Sequence, residues 1–175
     1  SPEPYRRHVP NDPLFAQQWP LDNTGQGGGI ADADVDAPEA WAITRGEPRV
    51  VIAVLDDAVQ LDHPDLAPNI AAAGRDFRKA APRPTAAPHE VTDRHGTAVA
   101  GVAAARGDDG IGVTGICPRC SLLPIGVDGV DSPITPATAD AVRYAVSQGA
   151  DVIQLSWGYG SAHAQPADAA RGAAL

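Results

Sequence analysis

No apolar stretch in this chain approaches the roughly 18 residues that a membrane-spanning helix needs, and the opening SPEPYRR carries no signal-peptide core. The chain therefore reads as soluble, with no membrane partner and with any export signal or pro-segment removed or not included. Basic clusters are also missing: none is denser than Arg6-Arg7, and 22 acids against 13 bases leave a formal charge of -9. A phosphate backbone would be repelled, so nucleic acid is excluded as a partner. Cysteine is scarce. Cys117 and Cys120, in the run CPRC, are the only two, and without His or Cys neighbours at zinc-ligand spacing they cannot close a four-ligand site. A local disulfide, which would favour an oxidising compartment, is the expected state, with free thiols and redox or metal chemistry as alternatives. The triple glycine at 27–29 has no strand before it and no phosphate-binding helix after it, so it reads as a turn.

What remains is a globular composition, 43% hydrophobic and 20% charged, with 17 prolines and 18 glycines that imply many turns. Residues 1–29 read as an extended segment that wraps a surface, anchored by Phe15 and Trp19. The run DVDAPEAWAITRG has Pro38 and Glu39 in its first turn and Gly46 after its last, the pattern of a short helix. Residues 50–55 are continuously apolar and β-branched, as in a strand covered on both faces. Strands are further expected at 121–127 and 151–157 and, less regularly, at 69–76, with helices at 95–105 and 137–148 and another beginning in 166–175. No internal repeat or domain boundary interrupts 30–175. The fold class is α/β, a doubly wound and mainly parallel sheet flanked by helices, with ligands at the C-terminal strand ends. Asp56, Val127, Asp128, Ser156 and Trp157 all fall at such ends.

Asp56 closes an apolar strand, a costly place for a carboxylate unless a hydrogen-bonding partner stands beside it. His95, in DRHGTAVAGVAAA, lies at a helix start among small residues that suit tight packing. Together they read as the acid and base of a triad, in which the imidazole takes a proton from a serine hydroxyl. Ser1, Ser121, Ser132, Ser147, Ser156 and Ser161 are the only serines, and none sits in a nucleophile context.

These segments resemble those of the subtilisin-like serine peptidases, from about Val9 to the last residue. VVIAVLDDAVQLDHPDL is similar to the family's aspartate segment, DRHGTAVAG to its histidine segment and VIQLSWG to its substrate-binding strand. The Asp56-Asp57 doublet and QWPLDNTGQ are similar to the kexin-like branch and to secreted bacterial relatives. The resemblance implies a secreted serine endopeptidase with a subtilisin-like fold, incomplete here. Asp56 would orient His95, His95 would act as general base and then acid, and Asp57 would support the Asp56 loop. Ser156, Trp157 and Gly158 would pair with a polypeptide substrate on one side, and Ser132, Pro133 and Ile134 on the other. The chain departs from the family at Ala58, usually glycine, and Ala98, often histidine or arginine; neither removes a catalytic group.

The resemblance also implies structural Ca²⁺, held by Asp65 and Asp109 with the carbonyls of Gly107, Ile111 and Val113 and a further ligand from the N-terminal segment. The nucleophilic serine and the oxyanion-hole asparagine would come from a C-terminal segment present as a second chain, and a pro-segment would accompany maturation. Asp93, Asp128 and Asp131 hint at basic side chains in the substrate. The rival expectations are a non-catalytic subtilisin-like peptide-binding module and an unrelated α/β ligand-binding domain.

Overall fold

The computed structural model describes residues 6–78, 85–128 and 135–157. Its centre is a four-stranded, all-parallel sheet of order β2-β3-β1-β4. The strands are β1 (Val51–Asp56), β2 (Arg75–Asp76), β3 (Ser121–Gly126) and β4 (Val152–Gln154). Helix α1 (Ala37–Trp41) precedes β1, α2 (His95–Ala104) lies between β2 and β3, and α3 (Pro136–Ser147) lies between β3 and β4. Pro136 opens α3, where its missing N–H costs nothing, and the Thr135 side chain accepts from Thr138 N–H. The expected α/β architecture is therefore present.

The period-2 alternation of β1 divides the core into two layers. Ile52 and Val54 pack with Leu122, Ala100 and Ala104 on the α2 side. Ala53 and Leu55 pack with Leu123, Ile125, Ala141 and Ala145 on the α3 side. Helices thus cover both faces, which explains why β1 has no polar alternation. The same period turns Asp56, next in line after Ile52 and Val54, toward α2.

Two strands are shorter than expected. Of 69–76 only Arg75–Asp76 joins the ladder, with an isolated bridge at Ile70 to Leu122. Asn69 is diverted, its amide donating to the carbonyls of Ala104 and Pro118. Pro124, in the facing strand, lacks an N–H for a rung. Gly74 then bends the chain at φ +66°, where an added Cβ would lie 1.6 Å from the Pro124 carbonyl oxygen. Gly74→Ala is expected to lower unfolding free energy by about 2–5 kcal/mol, from left-handed backbone strain and overpacking together, read as a shift in urea midpoint. At the other edge, β4 ends at Gln154 rather than reaching residue 157, and Val152 is 49% exposed there.

Residues 8–41 run against the 107–116 loop, Leu14 N–H donating to the Gly112 carbonyl and the Gln18 amide to the Thr114 carbonyl. Phe15 anchors this segment beside Leu21 and Trp41, but Trp19 does not: it is 56% exposed. The core slot is filled instead by Trp41, tilted against Phe15 at 5.9 Å and donating its indole N–H to the Ile116 carbonyl. Cys117 and Cys120 are joined in a disulfide beneath Gly46, where a Cβ would collide with both sulfurs.

Candidate active site

Asp56, Gly126 and Asp76 lie level with one another, because β1 and β2 both pair with β3 in register at Gly126. This row of strand ends is the edge at which α2 begins. Asp56 is 1% exposed, and its Oδ1 lies 2.8 Å from Nδ1 of His95, the first residue of α2. An ionised carboxylate can only accept, so Nδ1 carries the proton and Nε2 is left with its lone pair. The His95 side chain is 49% exposed, which leaves the imidazole open to a hydroxyl arriving from outside.

The electrostatics follow from this asymmetry. Burial pushes the Asp56 carboxyl above its ordinary range, and hydrogen bonds from His95 and from Asp57 N–H pull it back. His95 is raised above the usual imidazole value, first by its hydrogen bond to Asp56 and then by the charges of Asp56 and Asp57, against a lowering by burial.

Around this pair the sequence held more than its motifs revealed. Asp76, 1% exposed, receives hydrogen bonds from Arg78 on both oxygens and contacts His89 Nε2 at 2.8 Å. Arg78 also reaches Asp93 at 2.9 Å, and His89 N–H donates to the same Asp93 oxygen. The network ties the end of β2 to the segment entering α2. Asp93 Oδ2 is therefore engaged by Arg78 and His89. The only sequence signal was the crowding of charge in 75–95.

Trp157 swings its indole N–H onto the Leu55 carbonyl at 2.8 Å, which places it beside the end of β1. Ser156 Oγ accepts from the Gln154 amide at 2.6 Å. Of the other serines in the described residues, Ser121 donates to the Pro48 carbonyl and Ser147 to the Tyr144 carbonyl. Neither is bonded to His95. Gly158, Ser132, Pro133, Ile134 and Asp131 lie outside the described residues, as does the helix expected within 166–175.

A second acidic locus sits where the N-terminal segment meets the loop 107–114. Leu14 N–H donates to the Gly112 carbonyl, Gly110 N–H to Asn11 Oδ1, Asp108 N–H to Asp12 Oδ2, and Val113 N–H to Asp65 Oδ2. Asp12 and Asp65 are both buried, and each keeps one carboxylate oxygen without a partner. Burial, followed by the repulsion of neighbouring acids, raises both carboxyls. Asp109 is exposed, with Oδ1 accepting from Ile111 N–H. Among the described residues no three His, Cys, Asp or Glu side chains converge as a metal cluster. Two buried, half-satisfied carboxylates nevertheless fit a hard cation that draws its other ligands from backbone oxygens.

Halolysin of Haloferax mediterranei is 37% identical over 86% of this chain, which spans 27% of that protein. Thermitase of Thermoactinomyces vulgaris is 36% identical over 86% of the chain, here spanning 48%. Among solved structures, the serine protease of Aeromonas sobria in complex with the chaperone ORF2 superposes with a TM-score of 0.75 at 28% identity, over 93% of this chain and 28% of that one. The chain thus spans from about a quarter to about half the length of these relatives. The subtilase family model matches residues 47–174, which include the Asp56 and His95 segments, and the chain belongs to that family.

Proposed function

We propose that this chain is the N-terminal part of a single subtilisin-like domain in a secreted serine endopeptidase. Asp56 and His95 form its orienting acid and its general base. The observation that carries the reading is the 2.8 Å contact between a buried carboxylate and a half-exposed imidazole at the strand ends of a subtilase fold. In the reaction, His95 Nε2 takes the proton of a serine hydroxyl as the oxygen attacks the scissile carbonyl, then returns it to the leaving amine. Asp56 holds the ring in the required tautomer and stabilises the imidazolium. The serine and the oxyanion donor come from a further segment, consistent with the open outer face of α2, where Val102 is 70% exposed, and with β4 standing at the edge of the sheet among the described residues. The polypeptide substrate adds as a strand between 156–158 and 132–134, held by backbone hydrogen bonds. Extracellular action is supported by relatives such as the halolysin-like extracellular serine protease Nep of Natrialba magadii.

Reaction of the complete protein with a serine-directed phosphonate tests the proposal. A tag on one serine outside these 175 residues, abolished in His95→Ala, is the expected result. An untagged protein would indicate a binding module without hydrolytic activity. Intact mass of the same sample shows whether the tagged serine lies on a separate chain.

Structural Ca²⁺ forms part of the proposal. Asp12 and Asp65 would hold it together with the carbonyls of Gly107, Ile111 and Val113, so Asp12 supplies the ligand expected from the N-terminal segment. Asp109 contributes charge nearby. The ion would neutralise two buried acids and pin residues 11–14 to the 107–114 loop. Excess chelator is expected to lower the melting temperature, and Asp12→Asn to reduce that shift. An unchanged melting curve would count against the site.

A further inference from the structure

We propose that Asp57 is a positioning residue for His95: its carboxylate caps α2 from the neighbouring β1 loop and fixes where the imidazole starts. The inference rests on the peptidase reading for its consequence, but on backbone geometry for its substance.

Helix α2 begins without a cap of its own, since the Arg94 side chain makes no capping hydrogen bond. Its first N–H groups would be left without acceptors. Asp57 takes them instead: His95 N–H donates to Oδ2 at 3.0 Å and Gly96 N–H to Oδ1 at 2.7 Å. Oδ1 also accepts from Ala58 N–H at 2.6 Å, which locks the carboxylate to its own loop. A bidentate anion thus stands at the positive end of the helix dipole.

The approach is close enough to require glycine next to His95. A Cβ at Gly96 would lie 2.4 Å from the Ala58 carbonyl oxygen and 2.8 Å from Asp56 Cβ. His95 is therefore gripped twice, its backbone by Asp57 and its ring by Asp56. Consecutive carboxylates repel each other, so the doublet is costly by itself. The three N–H donors on Asp57, together with Asp57 N–H donating to Asp56 Oδ1, offset that cost. Both oxygens of Asp57 are bonded to backbone, and through them the side chain holds the start of the helix. Asp57 also adds to the negative potential that raises His95.

Asp57→Ala and Asp57→Asn in the complete protein test this through amide hydrogen exchange at His95 and Gly96 and through the pH dependence of peptide hydrolysis. Asp57→Ala is expected to speed exchange at those two amides while the rest of α2 stays protected. Its kcat should fall by about 10²-fold, the scale of a misplaced catalytic group, with KM nearly unchanged. Asp57→Asn keeps one acceptor and should recover part of kcat. In both variants the acid limb should move to lower pH, because one negative charge beside His95 has gone. Unchanged exchange with an unmoved limb, or a raised KM at constant kcat, would overturn the proposal. Exchange needs no turnover, so an inactive wild-type protein would end the peptidase reading while the cap is still decided. If Asp57→Ala does not fold, Asp57→Asn carries the same readouts.

Discussion

Asp56→Asn in the complete protein is expected to lower kcat by about 10⁴-fold, the scale of losing the orienting aspartate in a Ser-His-Asp triad. The amide has nearly the carboxylate's shape, so the strand end and its packing survive. Its NH₂ can donate to His95 Nδ1, however, which would stabilise the tautomer whose proton sits on Nε2. The base would then face the serine with a proton instead of a lone pair. The charge that raises His95 also disappears, so the residual activity should show an acid limb at lower pH than the wild type. KM should change little, because Asp56 is buried beneath His95 and out of reach of a substrate. Initial rates across pH on one peptide provide both numbers. A loss below tenfold would place Asp56 outside the chemistry.

Arg78→Ala is expected to destabilise the protein by about 3–5 kcal/mol, the range for removing one partner of a buried ion pair. Asp76 is buried at the end of β2, and Arg78 is its chief donor, contributing its backbone N–H and two guanidinium nitrogens. Burial pushes the Asp76 carboxyl upward, but the bonds and charge of Arg78, with His89, outweigh it, so its value is depressed below the usual aspartate range. A depressed folded-state value means stability that is present above the ordinary aspartate pKa and lost as pH falls through the folded-state value. Without the guanidinium, burial is opposed less strongly, by His89 and the backbone N–H of residue 78, and acid sensitivity should begin at higher pH. Urea midpoints at neutral and acidic pH measure both effects. Adding Asp76→Asn should restore much of the loss at neutral pH, because the stranded charge is then removed. A destabilisation under about 1 kcal/mol would mean the pair behaves as a surface bridge.

The sheet was legible because β1 and β3 are apolar on both faces, a pattern that only helices on both sides can satisfy. The start of α2 was legible because His95 opens a run of small residues. What stayed hidden depends on partners distant in sequence. β2 shrinks to two residues because Gly74 and Pro124 meet across the sheet, and neither alone signals the meeting. Trp19 reads as an anchor by size, yet the core slot is filled by Trp41 from α1. Asp93 reads as available to a cation from outside, while Arg78 already occupies it. Asp12 could not be chosen among its neighbours until the 107–114 loop closed over it. The Asp56-Asp57 doublet was visible, but not that its second member spans to another element.

The claim on which all else depends is that Asp56 and His95 act as one unit. NMR titration of the His95 ring in the wild type and in Asp56→Asn measures it most directly. The wild-type imidazole is expected to titrate above the ordinary histidine value and to move downward when the carboxylate becomes an amide. An imidazole that titrates at the ordinary value in both proteins would contradict it.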